Sequence, residues 1–471
     1  MDTTATQAKV DAAVTLAKHA VNVKYEDIPG DAVEATKKDI LDTLAVTIGG
    51  SMAQGSKEMV ELVKDWGGKE ESTILAYGGR VPAPGAAHLN AIMSYMLDYS
   101  DTYDVNGQHP ATVIIPVCFA MAERRGGVSG KELLATIAMG IDLSCRLACT
   151  PKQTTDLWGD GWWNSQVFNY FAAAACAGKI LGLDEGKMIS AFGIAGEQAA
   201  GYDQNSREKS SSNLMQPAFA APAGILAALM AEKGIGGPRD SLEGQAGFYK
   251  VYFRGSYYRD PLLADLGKRF LGADVSLKPY PSCRWTNQFI QATLALREKH
   301  ALKPEDVAEI TAFVGENTHW LVCEHLEVLR NPQMTIQAQL NLPWTVATAM
   351  VYGKVSIENF TPEALKDRAV LQMVQKVTPQ IDKSLNRSGQ EPGIVEIKTR
   401  DGKVFSKRVD PDALLGNPLN PLSWDFIIAK LEDCASYSVK PISKKNLAKA
   451  TEMVRKLEEL DDVSAVVRLL G

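Results

Sequence analysis

Apolar residues recur every three to four positions through most of the first half of the chain, the spacing of helices that bury one face. It predicts helices over residues 31–48, 56–66, 82–97, 110–124, 130–147, 165–180, 184–198 and 214–232. Asp31 and Ser56 read as N-caps, and the pairs Gly49-Gly50 and Gly67-Gly68 read as stops. One short strand is expected at 72–77. Alanine and glycine are dense in FAAAACAGK (171–179) and AFAAPAGILAALMA (218–231), so these helices should pack closely inside a large bundle. Near residue 270 the pattern changes. Short β-prone runs at 305–314, 394–399 and 404–409 predict strands, the last two joined by an Asp401-Gly402 hairpin turn. Helices are expected between them at 336–352 and 362–377. After Pro418 and Pro421 helical spacing returns over 424–434 and 444–459. The fold class is therefore mainly α. A large all-helical domain uses both ends of the chain, 1–270 and 414–471, and a smaller α+β lid domain, 271–413, is inserted before the last helices.

Charge narrows the partners. Fifty basic residues face 56 acidic ones in 471, a net −6. The overall balance lacks the basic excess that nucleic acid or an anionic membrane attracts. The longest apolar run has about 14 residues and contains Pro222, short of the ~20 needed to span a bilayer. The first residues, MDTTATQAKV, do not read as a secretory or transit segment. Seven cysteines without a C-x-x-C pair suit a reducing compartment. A cytoplasmic protein is expected. Six histidines without H-E-x-x-H give no metal-ligand spacing. GGVSGK (126–131) lacks the first glycine and the final Ser or Thr of a phosphate loop and reads as a turn before a helix.

Three polar clusters stand out against this apolar background. The first is DYSDTYDVNGQHP (98–110), between two apolar helices. One more turn of the first helix would put Asp98 and Thr102 on one side. His109, before Pro110, would sit at the positive end of the next helix and stay neutral, able to take a proton. A carboxylate, a hydroxyl and an imidazole at one corner suit acid–base chemistry. The same residues also read as ordinary caps with a surface histidine. The second cluster is LKPYPSCRWTN (277–287), where two prolines stiffen a loop bearing Lys278, Tyr280, Cys283 and Arg284. It could present cations to a carboxylate, or simply link two domains. The third, DQNSREKSSSN (203–213), could place Arg207 and Lys209 at a pocket mouth, or be a solvated loop.

LDYSDTYDVNGQHPAT (97–112) and KPYPSCRWTN (278–287) resemble the signature segments of the MmgE/PrpD family. DTLAVTIGGS, ILAYGGRVPAPGAAHLNA, QAQLNLPWTVATAMVYGKV and LLGNPLNPLSWDFIIAKL extend the resemblance along most of the chain. It implies a helical domain with a smaller lid, a homodimer, a site between the domains, and neither metal nor organic cofactor. Family activities include 2-methylcitrate dehydratase, cis-aconitate decarboxylase and iminodisuccinate epimerase. By resemblance Asp98, Thr102, His109 and Lys278 are the catalytic set, with one extra residue before His109. Trp163 and Asn213 stand where decarboxylase members carry a histidine and a lysine, with Lys209 close by, and Cys283 replaces a histidine. Trp162, Trp163, Tyr103 and Trp285 would form an aromatic wall, suiting a substrate with fewer charges. The implied activity is a cofactor-independent lyase, dehydratase or decarboxylase, that removes a proton next to a carboxylate of a small acid, stabilised by Lys278 and Arg284. An epimerase or isomerase of a substituted dicarboxylate is the alternative, as is a non-catalytic member that binds a small molecule.

Overall fold

A computed structural model describes residues 10–152 and 161–471; the first nine residues of the N-terminal reading lie outside it. Apolar side chains sort into two buried clusters. The first runs from Ala12 to Leu277, takes in Ile336 and Ile357, and resumes from Leu422 to Leu470. The second lies between Cys283 and Leu414.

The first cluster is built from helices whose seams are made of small residues. Helix Ala220–Glu232 packs on Asn169–Ile180 and Glu185–Gln198, and Gly30–Gly50 packs on Ala83–Tyr95 and Trp424–Ser436. A β-carbon on Gly224 would overlap Ala173, and one on Gly50 would overlap the Met93 carbonyl. Backbones this close leave room only for glycine and alanine, which explains the composition of these segments. The helical stretch Ser211–Glu232 is long and apolar enough to cross a membrane by length and composition. It is mostly buried in this bundle, and burial is a sufficient reason for its apolar character.

Several boundaries differ from the sequence reading, each for a local reason. Residues 72–77 give only the two-residue strand β1, Ser72–Thr73, paired with β2, Arg80–Val81, because Ala76, Gly78 and Gly79 take positive φ and turn the chain. The 214–232 helix begins as a 3-10 turn, Ser211–Phe219, around Pro217. The 165–180 helix is divided into Asn164–Val167 and Asn169–Ile180. One helix ends at Gln339 with Leu340 as its C-cap, and Asn341 caps the next through Trp344 N, so 336–352 is also two helices. The 362–377 helix shrinks to Arg368–Val374, and a strand follows that the spacing had missed. Helices Ala12–Asn22 and Arg284–Lys299 were missed as well.

The strands of the second cluster are β3, Val307–Val314; β4, Val377–Ile381; β5, Gly393–Thr399; and β6, Val404–Val409, in the order β4-β3-β5-β6. β3 and β4 are parallel, and the β5–β6 hairpin is antiparallel. Pro379 is tolerated because β4 is an edge strand. Helices Arg284–Lys299 and Leu342–Tyr352 pack together, the first against β5 and β6 and the second against β4.

The joint between the clusters runs through the loop that carries Lys278. Leu277 N donates to Gly416 O at 3.0 Å. Gly416 has φ 85°, and a β-carbon there would overlap the Leu277 carbonyl oxygen. Gly416→Ala is expected to cost about 2–4 kcal/mol, from a disfavoured φ and a backbone clash together. A urea melt monitored by circular dichroism checks this; an unchanged midpoint would mean the joint yields freely.

Candidate active site

The helix Ala83–Tyr95 does not continue past Asp98. Asp98 instead turns the chain with φ 48°, a conformation aspartate adopts more readily than most residues. Asp98 and Thr102 therefore reach the same cavity by a backbone turn, not by helical spacing. Asp101 closes that turn. Its Oδ2 accepts from Ala111 N at 3.0 Å and caps the next helix. Its carbonyl accepts from Thr102 Oγ1 at 2.8 Å and lies 2.5 Å from His109 Nδ1. A carbonyl only accepts, so Nδ1 carries the hydrogen and Nε2 holds the basic lone pair.

His109 is buried, contrary to the surface reading. Its ring meets Tyr95 edge-on, with centroids 5.0 Å apart. Burial above all, then the Lys278 ammonium, pushes the imidazole down to about 3, against the pull of the Asp101 carbonyl. It is neutral at pH 7, as the sequence suggested, with burial as the main cause. Unfolded His109 takes up a proton below about 6.5, whereas the folded residue resists until about 3. Its contribution to stability is therefore complete above pH 6.5 and is lost as pH falls toward 3. His109→Gln is expected to remove about 1.4 kcal/mol per pH unit from the slope of stability between pH 4 and 6. Chemical denaturation at several pH values checks it; identical slopes for both proteins would contradict a buried neutral imidazole.

The second loop is stitched to the first. Thr102 N donates to Ser276 O, and Ser276 N to Thr102 O, both at 2.8 Å. Lys278, fully buried, then donates to Asp98 Oδ1 at 2.5 Å and Asp98 O at 2.9 Å. Among the described residues Asp98 Oδ2 has no hydrogen-bond partner. Burial raises the Asp98 carboxyl, opposed by Lys278. Beneath the loop, Lys430 Nζ lies 2.7 Å from Asp42 Oδ1 and donates to Lys278 O at 3.0 Å and Tyr99 O at 2.8 Å. It also sits 3.7 Å from the centre of the Tyr99 ring.

Asp98, Thr102, His109, Trp163, Asn213, Lys278, Cys283 and Arg284 all line one cavity of about 40 Å³, with Tyr95, Leu214 and Trp285. The sequence thus marked most of its wall. Arg284 requires a correction: its guanidinium grips Asp104 through Nε–Oδ1 at 2.9 Å and a terminal nitrogen–Oδ2 at 2.8 Å. That bidentate pair fastens the two loops together, so Arg284 is not a free cation facing a reaction intermediate. Five expected residues fall outside the lining. Tyr103 is buried beside Cys149, its hydroxyl 4.0 Å from the sulfur. Tyr280 packs on the second hydrophobic cluster, where burial pushes its phenol up to about 12. Lys209 reaches from a left-handed turn to Leu340 O at 3.5 Å, behind the wall, and burial lowers its pKa. Trp162 leaves the aromatic wall as well, its ring tilted 45° against Tyr252 with centroids 4.6 Å apart. Arg207 lies over Trp320, its guanidinium 5.1 Å from the ring centre. Burial pushes the Cys283 thiol up to about 12, so it lines the cavity as a neutral group.

Sequence reasoning missed Tyr95, Asp101, Asp104, Asp42 and Lys430. The last pair left a trace. Asp42 and Lys430 each occupy the apolar face of a helix, where an ionisable residue needs a partner. Among the described residues no group of three His, Cys, Asp or Glu side chains is placed to hold a metal ion.

A neutral imidazole, a buried Asp–Lys pair and a hydroxyl meet in one cavity at the joint between the two hydrophobic clusters. The chain belongs to the MmgE/PrpD family. The family's N-terminal domain model matches residues 14–260 and its C-terminal domain model matches 280–457. The second match runs past Leu414 into helices that pack with the first hydrophobic cluster. The cis-aconitate decarboxylase-like protein oryM of Aspergillus oryzae is 26% identical, over 97% of this chain and 96% of its own. Cis-aconitate decarboxylase of Aspergillus terreus is 24% identical, over 96% and 94%. Cis-aconitate decarboxylase of Homo sapiens is 26% identical, over 95% and 92%.

Proposed function

We propose that this chain is a lyase of the dehydratase or decarboxylase type that removes a proton from the carbon next to a carboxylate. The observation that carries the reading is His109. Its Nδ1–H is held by the Asp101 carbonyl, which leaves a neutral Nε2 as the base in a buried cavity shared with the Asp98–Lys278 pair. Similarity to cis-aconitate decarboxylases over nearly the whole chain supports the same class.

In this reading the substrate carboxylate beside His109 restores the basicity that burial and Lys278 remove, Nε2 takes the proton, and the C–H electron pair moves toward the carboxylate. The enediolate-like intermediate gains negative charge beside the Lys278 ammonium, and such fixed electrostatic help is usually a large part of catalysis. Thr102 positions a carboxylate oxygen. For dehydration the pair forms the C=C bond as the β-hydroxide leaves with the proton held by His109, as water; for decarboxylation of an unsaturated acid the His109 imidazolium returns its proton to a conjugated carbon, and the electron pair left by the departing carbon dioxide takes a second proton from solvent.

The substrate in this reading carries fewer charges than cis-aconitate. Among the described lining residues the cations are Lys278 and Arg284, and each is matched by an aspartate. Trp163, Trp285, Leu214 and Leu340 supply apolar wall. Proton NMR of wild type and Trp163→His with a panel of mono-, di- and tricarboxylates tests the reading. Wild type is expected to favour the less charged acids, and the variant to move at least tenfold toward tricarboxylates. Equal selectivity in both would sink the substrate assignment.

A further inference from the structure

Next to the 40 Å³ cavity lies a second one of about 260 Å³, between the two hydrophobic clusters. The two are neighbours through four segments. Leu214 lines both. Met96 and Leu97 line the larger cavity while Tyr95 and Asp98 on either side line the smaller. Pro281 and Gln339 face the larger cavity, and Cys283 and Leu340 the smaller. The larger wall is mainly apolar, including Ile336, Ile357 and Phe360, and Met52 and Met334, both exposed, stand at its rim.

Gln54, Ser211, Thr335, Thr361 and Tyr437 stand at exposed or partly exposed points of this wall, and one buried polar side chain interrupts it. Gln339 is fully buried, and among the described residues neither its Nε2 nor its Oε1 has a hydrogen-bond partner. Its backbone is fixed, since its carbonyl accepts from Cys283 N at 3.0 Å. A buried carboxamide with both ends unmatched is unfavourable unless a ligand answers it.

Size makes the second argument. The small cavity holds little more than a carboxylate, whereas ligand sites usually measure about 300–1,000 Å³. The two cavities together reach the lower end of that range. We propose that the larger cavity is a substrate subsite. It takes an apolar chain of about six carbons, with one hydrogen-bonding group that meets Gln339, attached to the acid end that enters the His109 cavity past Leu214. The inference rests on the lyase reading for the acid end; the subsite itself is tested without it.

Isothermal titration calorimetry with 2-methylsuccinate, 2-hexylsuccinate and the neutral probe hexanamide is the test. Each methylene buried in the subsite should tighten binding roughly threefold, so hexylsuccinate should bind wild type more than 30-fold tighter than methylsuccinate. Thr361→Trp, on the partly exposed rim, should reduce that advantage below threefold and leave methylsuccinate unchanged. Gln339→Met should weaken hexanamide at least fivefold. Equal affinity of the two succinates for wild type would overturn the proposal. If neither succinate binds but hexanamide binds wild type and is lost in Gln339→Met, the subsite stands and the carboxylate reading fails. If hexanamide does not bind, or binds Gln339→Met equally well, the subsite is wrong.

Discussion

His109→Ala is expected to lower kcat roughly 10²–10⁴-fold, the usual loss on removing a positioned acid–base group, while the protein stays folded. The argument rests on what the imidazole does and does not support. Its Nδ1–H donates to the Asp101 carbonyl, which keeps the Thr102 hydroxyl as a second donor when the ring is gone. The Asp101 carboxylate caps the next helix independently of the ring, through Ala111 N. The Asp98–Lys278 pair makes no hydrogen bond to the ring. The variant should therefore lose the base and a modest amount of packing against Tyr95, leaving the frame in place. Far-ultraviolet circular dichroism and a thermal melt, run beside the rate measurement, separate the two effects. A folded variant with wild-type turnover would remove His109 from the mechanism.

Lys430→Met is expected to produce the largest loss of stability, about 3–5 kcal/mol. Lys430 and Asp42 are both fully buried, and the ammonium joins helices from opposite ends of the chain. Removing it leaves the Asp42 carboxylate buried without its cation and deprives the Tyr99 and Lys278 carbonyls of their donor. The Lys278 carbonyl belongs to the loop that presents the candidate catalytic ammonium, so the damage should reach the site. The double variant Asp42→Leu, Lys430→Met should recover part of the loss, because an apolar pair of similar volume avoids the stranded charge. Urea denaturation of the two variants decides the matter. A single variant as stable as wild type would show that water reaches Asp42.

How much of this was legible in the sequence depended on how local the cause was. Helix 56–66 and strand 404–409 match the structure end to end, because a glycine stop and an Asp-Gly turn act within a few residues; the expected Ser56 cap is replaced by a left-handed Gly55, and the Ser56 hydroxyl donates to Gly50 O instead. The helix at 362–377 was misjudged because its apolar residues serve two elements in turn, a short helix and the edge strand β4. Asp98 and Thr102 line one cavity, as the expectation of a shared side implied, but the cause differs. Helical spacing was assumed, and a left-handed turn does the work instead. Arg284 could be recognised as a cation but not as one already engaged, because Asp104 lies 180 residues away in the chain. Tyr103 shows the same limit in reverse. It stands beside Thr102 in sequence, yet its side chain leaves the cavity for Cys149. Partners fixed by long-range packing are invisible to spacing, and they decide which polar groups of a cluster reach a substrate.

The most direct test of the central claim is deuterium exchange. The protein is incubated in D₂O with methylsuccinate and with the acids of the carboxylate panel, and the carbon next to each carboxylate is followed by proton NMR. The account predicts deuterium entering that carbon for at least one acid in wild type, and at least a hundredfold slower in His109→Ala. Exchange at equal rates in both proteins, or none with any acid from a folded wild type, would contradict proton abstraction by His109 in this cavity.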